Sequence, residues 1–156
     1  MPHLNRKSSA AGRVRLFVAH RFDGLSDEAI GEAAESYRRL FETKSVEVVS
    51  MAHLLKEERA QGLAQSNPRL VVERDLEELR SADIFLCDLS EPNWHYVGCL
   101  CEMVYAKQWD KYVIVYAGQA PLAQRLWIRY HADVIALTPP EAKAAVERYL
   151  AARMET

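Results

Sequence analysis

The stretch from Ala82 to Ala106, ADIFLCDLSEPNWHYVGCLCEMVYA, constrains the fold more than any other part of the chain. Ile84, Phe85, Leu86 and Cys87 form a short unbroken apolar run between Asp83 and Asp88. A strand with one wet face would alternate, so an unbroken run fits a strand covered on both faces, as in a parallel sheet. Ser90, Glu91, Pro92 and Asn93 then break the pattern as loop residues do. Val97, Leu100, Cys101, Val104 and Tyr105 restore apolar residues at helical spacing, interrupted on that face by Glu102. Strand, loop and helix in this order set Glu102 beyond the carboxyl end of a parallel strand, where open α/β sheets keep their sites. A helix amino end also favours the charged carboxylate. The alternative is a Glu turned to solvent, and this stretch alone leaves both readings open.

The remainder of the chain repeats the alternation. Val14, Leu16, Phe17, Val18 and Ala19 read as a first strand running into a polar loop, His20 to Gly24. Ser26, Asp27 and Glu28 read as a helix start, with Ser26 as N-cap and acids in the first turn. Ile30, Ala33, Ala34, Tyr37, Leu40 and Phe41 continue it, and Val46, Val48 and Val49 give a second strand. Met51 to Gln65 is polar and helical in character, a flap or insertion at the edge of the site. A helix follows Ser66, Asn67 and Pro68, with proline in its first turn and Leu70, Val71, Leu76 and Leu79 turned inward. Beyond the central unit come a strand from Tyr112 to Ala117, a helix from Leu122 to Tyr130, a strand from Val134 to Leu137 and a helix from Pro139. This order predicts an α/β protein with right-handed crossovers and a parallel sheet between helices. Residues 1–12 read as a flexible lead-in, without the apolar core of a signal peptide, and residues 13–156 as a single domain.

Charge excludes several partners. Acidic and basic residues are interspersed, for a net charge of −2, so the chain has neither a nucleic-acid footprint nor a polybasic membrane patch. It also lacks an apolar run of membrane-spanning length, which leaves small molecules as the expected ligands. The three cysteines sit inside apolar patterns rather than a disulfide framework, which suits a reducing, cytoplasmic setting. With no GxGxxG or GxxxxGK loop, neither an NAD enzyme nor a P-loop ATPase is indicated, and no cofactor is expected.

Asp75 is the second candidate for chemistry. Glu73, Asp75, Glu77 and Glu78 share an acidic helix whose charges mostly face water, but Asp75 lies between Val72 and Leu76, in a tract read as inward-facing. Neighbouring strand ends could bring it to Glu102, and paired carboxylates cleave glycosidic bonds, one at the anomeric carbon and one on the leaving-group proton. His95, Cys99 and Cys101 fall short of a zinc set, since no second ligand pair exists; small buried cysteines packing the helix are the better reading, ahead of a cysteine nucleophile. His20 and Arg21 are either an anion-binding pair or ordinary loop residues. Trp94, His95 and Tyr96 either stack on a nucleobase or wedge the loop shut.

The ordered set ERDLEELRSADIFLCDLSEP followed by VGCLCEMVYAKQWDKYVIVY resembles the nucleoside 2-deoxyribosyltransferase superfamily, and within it the deoxynucleoside-monophosphate N-glycosidase branch. The resemblance runs from Val14 to the last helix. It implies a flavodoxin-like three-layer αβα sandwich with a five-stranded parallel sheet, a nucleophile at Glu102, and an aspartate at Asp75 that engages the leaving base or sugar. It also implies a homodimer or larger homo-oligomer with sites near the interface, for which the tract around Trp127 and Tyr130 offers a patch. The chain departs from the family pattern at Phe17, which replaces an aromatic hydroxyl, at His20, which replaces a glycine, and at Cys99-Leu100-Cys101, which replaces a glycine-rich approach to the glutamate.

The expected function is therefore cleavage or transfer of the N-glycosidic bond of a nucleoside or nucleoside 5′-monophosphate, with Asp88 holding the sugar or ordering the site. A 5′-phosphate would fall to Arg21 and His20, to Ser90 and Asn93, and to the helix amino end near Gly98. The alternative is a nucleotide-sensing module that keeps the fold without turnover.

Overall fold

The computed structural model describes residues 12–52 and 67–155. Its strands are β1 (Val14–Ala19), β2 (Val46–Val49), β3 (Ile84–Asp88), β4 (Tyr112–Tyr116) and β5 (Val134–Ala136). The helices are α1 (Asp27–Phe41), α2 (Pro68–Ser81), α3 (Val97–Gln108), α4 (Leu126–His131) and α5 (Pro139–Met154). The five strands are parallel in the order β2-β1-β3-β4-β5, the flavodoxin-like order. The polar stretch expected as a flap or insertion from Met51 to Gln65 and the lead-in over residues 1–12 fall largely outside the described residues.

Alternation along the strands divides the core into two halves. Phe17, Ala19, Phe85, Cys87, Val113 and Val115 face the side that carries α2, α3 and α4, where Leu79, Met103, Ala106 and Ile128 pack on them. Leu16, Val18, Ile84, Leu86 and Ile114 face Phe41 of α1 and Ala142, Ala145 and Val146 of α5. Covering both faces is what the unbroken apolar runs require. Helix starts follow local chemistry: the side chains of Ser26, Asn67 and Thr138 accept the amides of Ala29, Leu70 and Glu141, satisfying donors that the helix itself leaves open.

Three sequence expectations need correction. The apolar residues of α3 point differently from the face proposed: Cys99, Met103 and Ala106 are buried, while Val97, Cys101 and Tyr105 are exposed. The helix is apolar on nearly every side, so spacing alone could not select its inner face. Val72 of α2 also faces solvent, because Leu76 and Leu79 carry the contact with the sheet side. The single helix expected from Leu122 to Tyr130 is two pieces, a 3-10 turn (Pro121–Gln124) and α4, separated by Arg125 in extended backbone.

Candidate active site

The chain leaves β1 toward β2 on one side and returns to β3 on the other. The carboxyl ends of β1 and β3 thus form the switch point of the sheet, where such folds open a crevice. A cavity of about 160 Å³ lies there. Its walls come from the end of β1 and the loop after it (Phe17 to Asp23), Met51 after β2, Asp75 on α2, Trp94 and Tyr96 in the loop after β3, and Val97, Gly98, Cys99 and Glu102 on α3.

Buried contacts build the loop between β3 and α3. The Asp88 carboxylate accepts the Ser90 amide at 2.9 Å and the Ser90 hydroxyl at 2.6 Å, and it also accepts the Tyr37 hydroxyl of α1. Gly118, at φ +54°, packs over Ser90 so closely that a Cβ would stand 3.3 Å from the Ser90 Cβ. The Tyr96 hydroxyl accepts the Glu91 amide at 2.9 Å and donates to the Glu91 carbonyl at 3.2 Å, closing the loop on itself. Tyr96 takes a left-handed conformation at φ 52° and leads into α3 without a side-chain cap. The amino end of α3 therefore borders the cavity through Val97, Gly98 and Cys99, and a Cβ on Gly98 would meet nothing within 4 Å. Residues four apart on a helix share a face, so the missing side chain at Gly98 leaves the Glu102 carboxyl open to the cavity.

Glu102 and Asp75 meet at this cavity from adjoining helices. Burial raises the Glu102 pKa from 4.5 to about 8, and the negative charge of Asp75 adds to the effect. At neutral pH Glu102 thus holds a proton beside the Asp75 carboxylate. Burial also raises the thiol of Cys87, whose Sγ lies 3.9 Å from the Cys99 carbonyl; this packing position does not suit a nucleophile. Cys101 is exposed. Among the described residues no three His, Cys, Asp or Glu side chains converge on a metal position.

Two loops meet at the cavity wall. The guanidinium of Arg21 lies over the Trp94 ring, 4.2 Å from its centre. Trp94 in turn packs against Gly24, where φ is +72° and a Cβ would stand 3.2 Å from the indole. His20 is buried, and desolvation lowers its pKa to about 4 against opposing contributions from the Arg21 backbone and Asp88. The expected anion-binding pair is divided in this way: Arg21 carries charge and His20 is neutral.

Of the residues singled out from sequence, the cavity brings together Glu102, Asp75, Phe17, His20, Arg21, Trp94, Tyr96 and Gly98. Asp88, Ser90, Asn93 and His95 stand outside its walls. Asp88 and Ser90 are engaged with one another. Asn93 (φ 63°) and His95 are exposed in the loop. Tyr37 was not singled out; its position in the apolar stripe of α1, with a polar tip, was the available signal.

No protein-family model matches the chain, and no curated protein does. Among solved structures it is similar to a Clostridium botulinum CMP N-glycosidase, BcmB, at 18% identity and a TM-score of 0.54, over 86% of this chain and 99% of that one. The two chains share a fold. Similarity at that level of identity establishes the architecture; the chemistry has to be argued from the site.

Proposed function

We propose that the chain cleaves the N-glycosidic bond of a nucleoside 5′-monophosphate. The observation that carries this reading is the Glu102–Asp75 pair facing one cavity at the switch point of the sheet. Glu102 attacks C1′, the bond from C1′ to the base breaks, and its electron pair leaves with the base. Asp75 delivers a proton to that base. Water then displaces Glu102 from the sugar, completing hydrolysis, or a second base does so, completing transfer. The attacking arrangement needs Glu102 charged and Asp75 protonated. It has the same net charge as the resting pair, so one proton moves within the site and none is gained or lost. The phosphate is met by the charge of Arg21 and by the amides at the start of α3. The similar solved structure is named a CMP N-glycosidase, which makes CMP the first substrate to try.

One observation favours a second reading, a nucleotide-binding module without turnover. A carboxyl that keeps its proton to about pH 8 is a poor nucleophile until that proton moves. Chromatography for free base, after incubation with a panel of nucleosides and their monophosphates, separates the two readings. Base release that disappears in Glu102→Gln supports the glycosidase. Saturable nucleotide binding with no base release between about pH 5 and 9 supports the module and overturns the enzyme. With Cys87, Cys99 and Cys101 all free thiols, we place the protein in the cytoplasm. No helix among the described residues is long and apolar enough to cross a membrane.

A further inference from the structure

One side chain of α1 reaches both walls of the switch-point crevice. Tyr37 is half-buried, its ring packed against the core on the α1 side and tilted on the ring of His20 at 5.0 Å, where the chain leaves β1. Its hydroxyl donates to the Asp88 carboxylate at the end of β3. Burial first, and the Asp88 charge second, hold that proton well past the ordinary tyrosine range, so the hydroxyl stays a donor. Both Asp88 oxygens are used: Oδ2 by Tyr37, and Oδ1 by the amide and the hydroxyl of Ser90. Ser90 is the root of the loop that runs to α3, and Gly118 packs against it.

The loop beyond Ser90 needs such a root. Asn93 at φ 63° and Tyr96 at φ 52° hold left-handed backbone without being glycine, a conformation that persists only where its surroundings impose it. The Tyr96 hydroxyl bonds both the amide and the carbonyl of Glu91, so the two ends of this loop are tied to each other. Its tie to α1 runs through Ser90 and Asp88 to Tyr37. Trp94 and Tyr96, with Val97 and Gly98 at the start of α3, form one wall of the cavity. We infer that Tyr37 is a positioning residue: by holding Asp88 it anchors Ser90, keeps the strained loop in one conformation, and presents Trp94 and the amino end of α3 to the cavity. A ligand in the cavity then binds only the anchored loop. That last step rests on the proposed function; the anchoring does not.

Amide hydrogen exchange, read by NMR, separates local anchoring from overall stability. Tyr37→Phe keeps the ring against His20 and removes the hydroxyl. It should speed exchange at Ser90 and Glu91 about ten- to a hundredfold, the equivalent of one hydrogen bond to a charged acceptor. Val146→Ala, which hollows the buried core at α5, should speed exchange in the middle of β3 and leave Ser90 and Glu91 unchanged. If Tyr37→Phe speeds β3 alone, or if Val146→Ala speeds the loop as well, the inference is overturned. Added to Asp88→Ala, Tyr37→Phe should change Glu91 no further; an equal effect with and without Asp88 also overturns it. Should Tyr37→Phe fail to fold, Asp88→Asn reads the same tie from the other end. With one accepting oxygen in place of two it must release Tyr37 or Ser90, and unchanged exchange at Glu91 would then overturn the inference. For the ligand, Glu102→Gln removes turnover, and CMP at about ten times its Kd should slow Ser90 and Glu91 about tenfold. Binding of CMP without that slowing overturns the coupling to the ligand. If wild type neither binds nor cleaves CMP, the proposed function fails, while the exchange rates of the variants still decide the role of Tyr37.

Discussion

Replacing Glu102 with Gln should stabilise the protein, by an amount that grows with pH. The folded state holds the Glu102 proton to about pH 8, against 4.5 for an ordinary glutamate, through burial first and the Asp75 charge second. A proton therefore binds the folded chain more tightly than the unfolded one. The stability this confers is complete below the unfolded pKa and drains away as pH climbs to the folded value. Across that window the loss runs at about 1.4 kcal/mol per pH unit, reaching about 3 kcal/mol at pH 7 and about 5 kcal/mol above pH 8. Gln has the same shape and no proton to lose, so it escapes this dependence while every other titrating group is common to both proteins. Urea denaturation of wild type and Glu102→Gln, run from about pH 5 to about pH 9, reads the difference as a widening gap in midpoint at constant slope. A gap that stays flat across that range would mean the carboxyl is well solvated in the folded state. It would also remove the reason for giving Glu102 a proton at neutral pH.

Activity should depend on pH in the way a single shared proton requires: level near neutrality and falling above about pH 8, where the pair loses that proton. A rate that instead climbs through pH 8 would assign Glu102 alone to the reaction and leave Asp75 out of proton transfer. Asp75→Asn should lower base release by about a hundred- to ten-thousand-fold, less for activated leaving bases than for ordinary ones; equal losses on both would refute its role as the acid. Leu126, Trp127 and Tyr130 are 78%, 73% and 72% exposed on α4, a helix in contact with α3, and an apolar surface of this kind favours association. Light scattering should give a dimer or larger mass for wild type and a smaller one for Trp127→Glu, and a monomer mass for wild type at high concentration would refute the assembly.

The parts of the fold that were legible in the sequence are those set by local or one-dimensional patterns. Buried parallel strands show as unbroken runs such as Ile84 to Cys87, and Ser26 announces its helix because capping involves residues three apart. The direction of α3 was not legible, since Val97, Cys101 and Tyr105 are as apolar as Cys99, Met103 and Ala106 and only packing tells them apart. The extended backbone at Arg125 has no local signal, because it is imposed by the separate burial of Ala123 and Ile128. The site divides along the same line. Glu102 stands out as a polar residue in an apolar helix, and Asp75 became a candidate through its place beside Leu76. The neutral state of His20 depends on burial, and its ring partner Ser50 lies thirty residues away. The engagement of Asp88 depends on Tyr37, fifty-one residues away. Neither separation leaves a mark in the sequence near these residues.

The strand order has a consequence for how the protein comes into being on the ribosome. Leu16, Phe17, Val18 and Ala19 find their partners on one side in Ile84, Phe85, Leu86 and Cys87, and these in turn need Tyr112 to Val115 on their far edge. During synthesis, therefore, β1 is made early, yet its central neighbour β3 emerges only after more than half of the chain has been translated. Until then the nascent segment has only β2 beside it, an isolated pair of parallel strands whose Phe17 side gains its first helix, α2, only just before β3. Long-range parallel pairing of this kind is slow, and exposed apolar edges recruit one another. Synonymous changes that slow translation between the codons for β2 and β3 should lower the soluble yield of an otherwise unaltered protein.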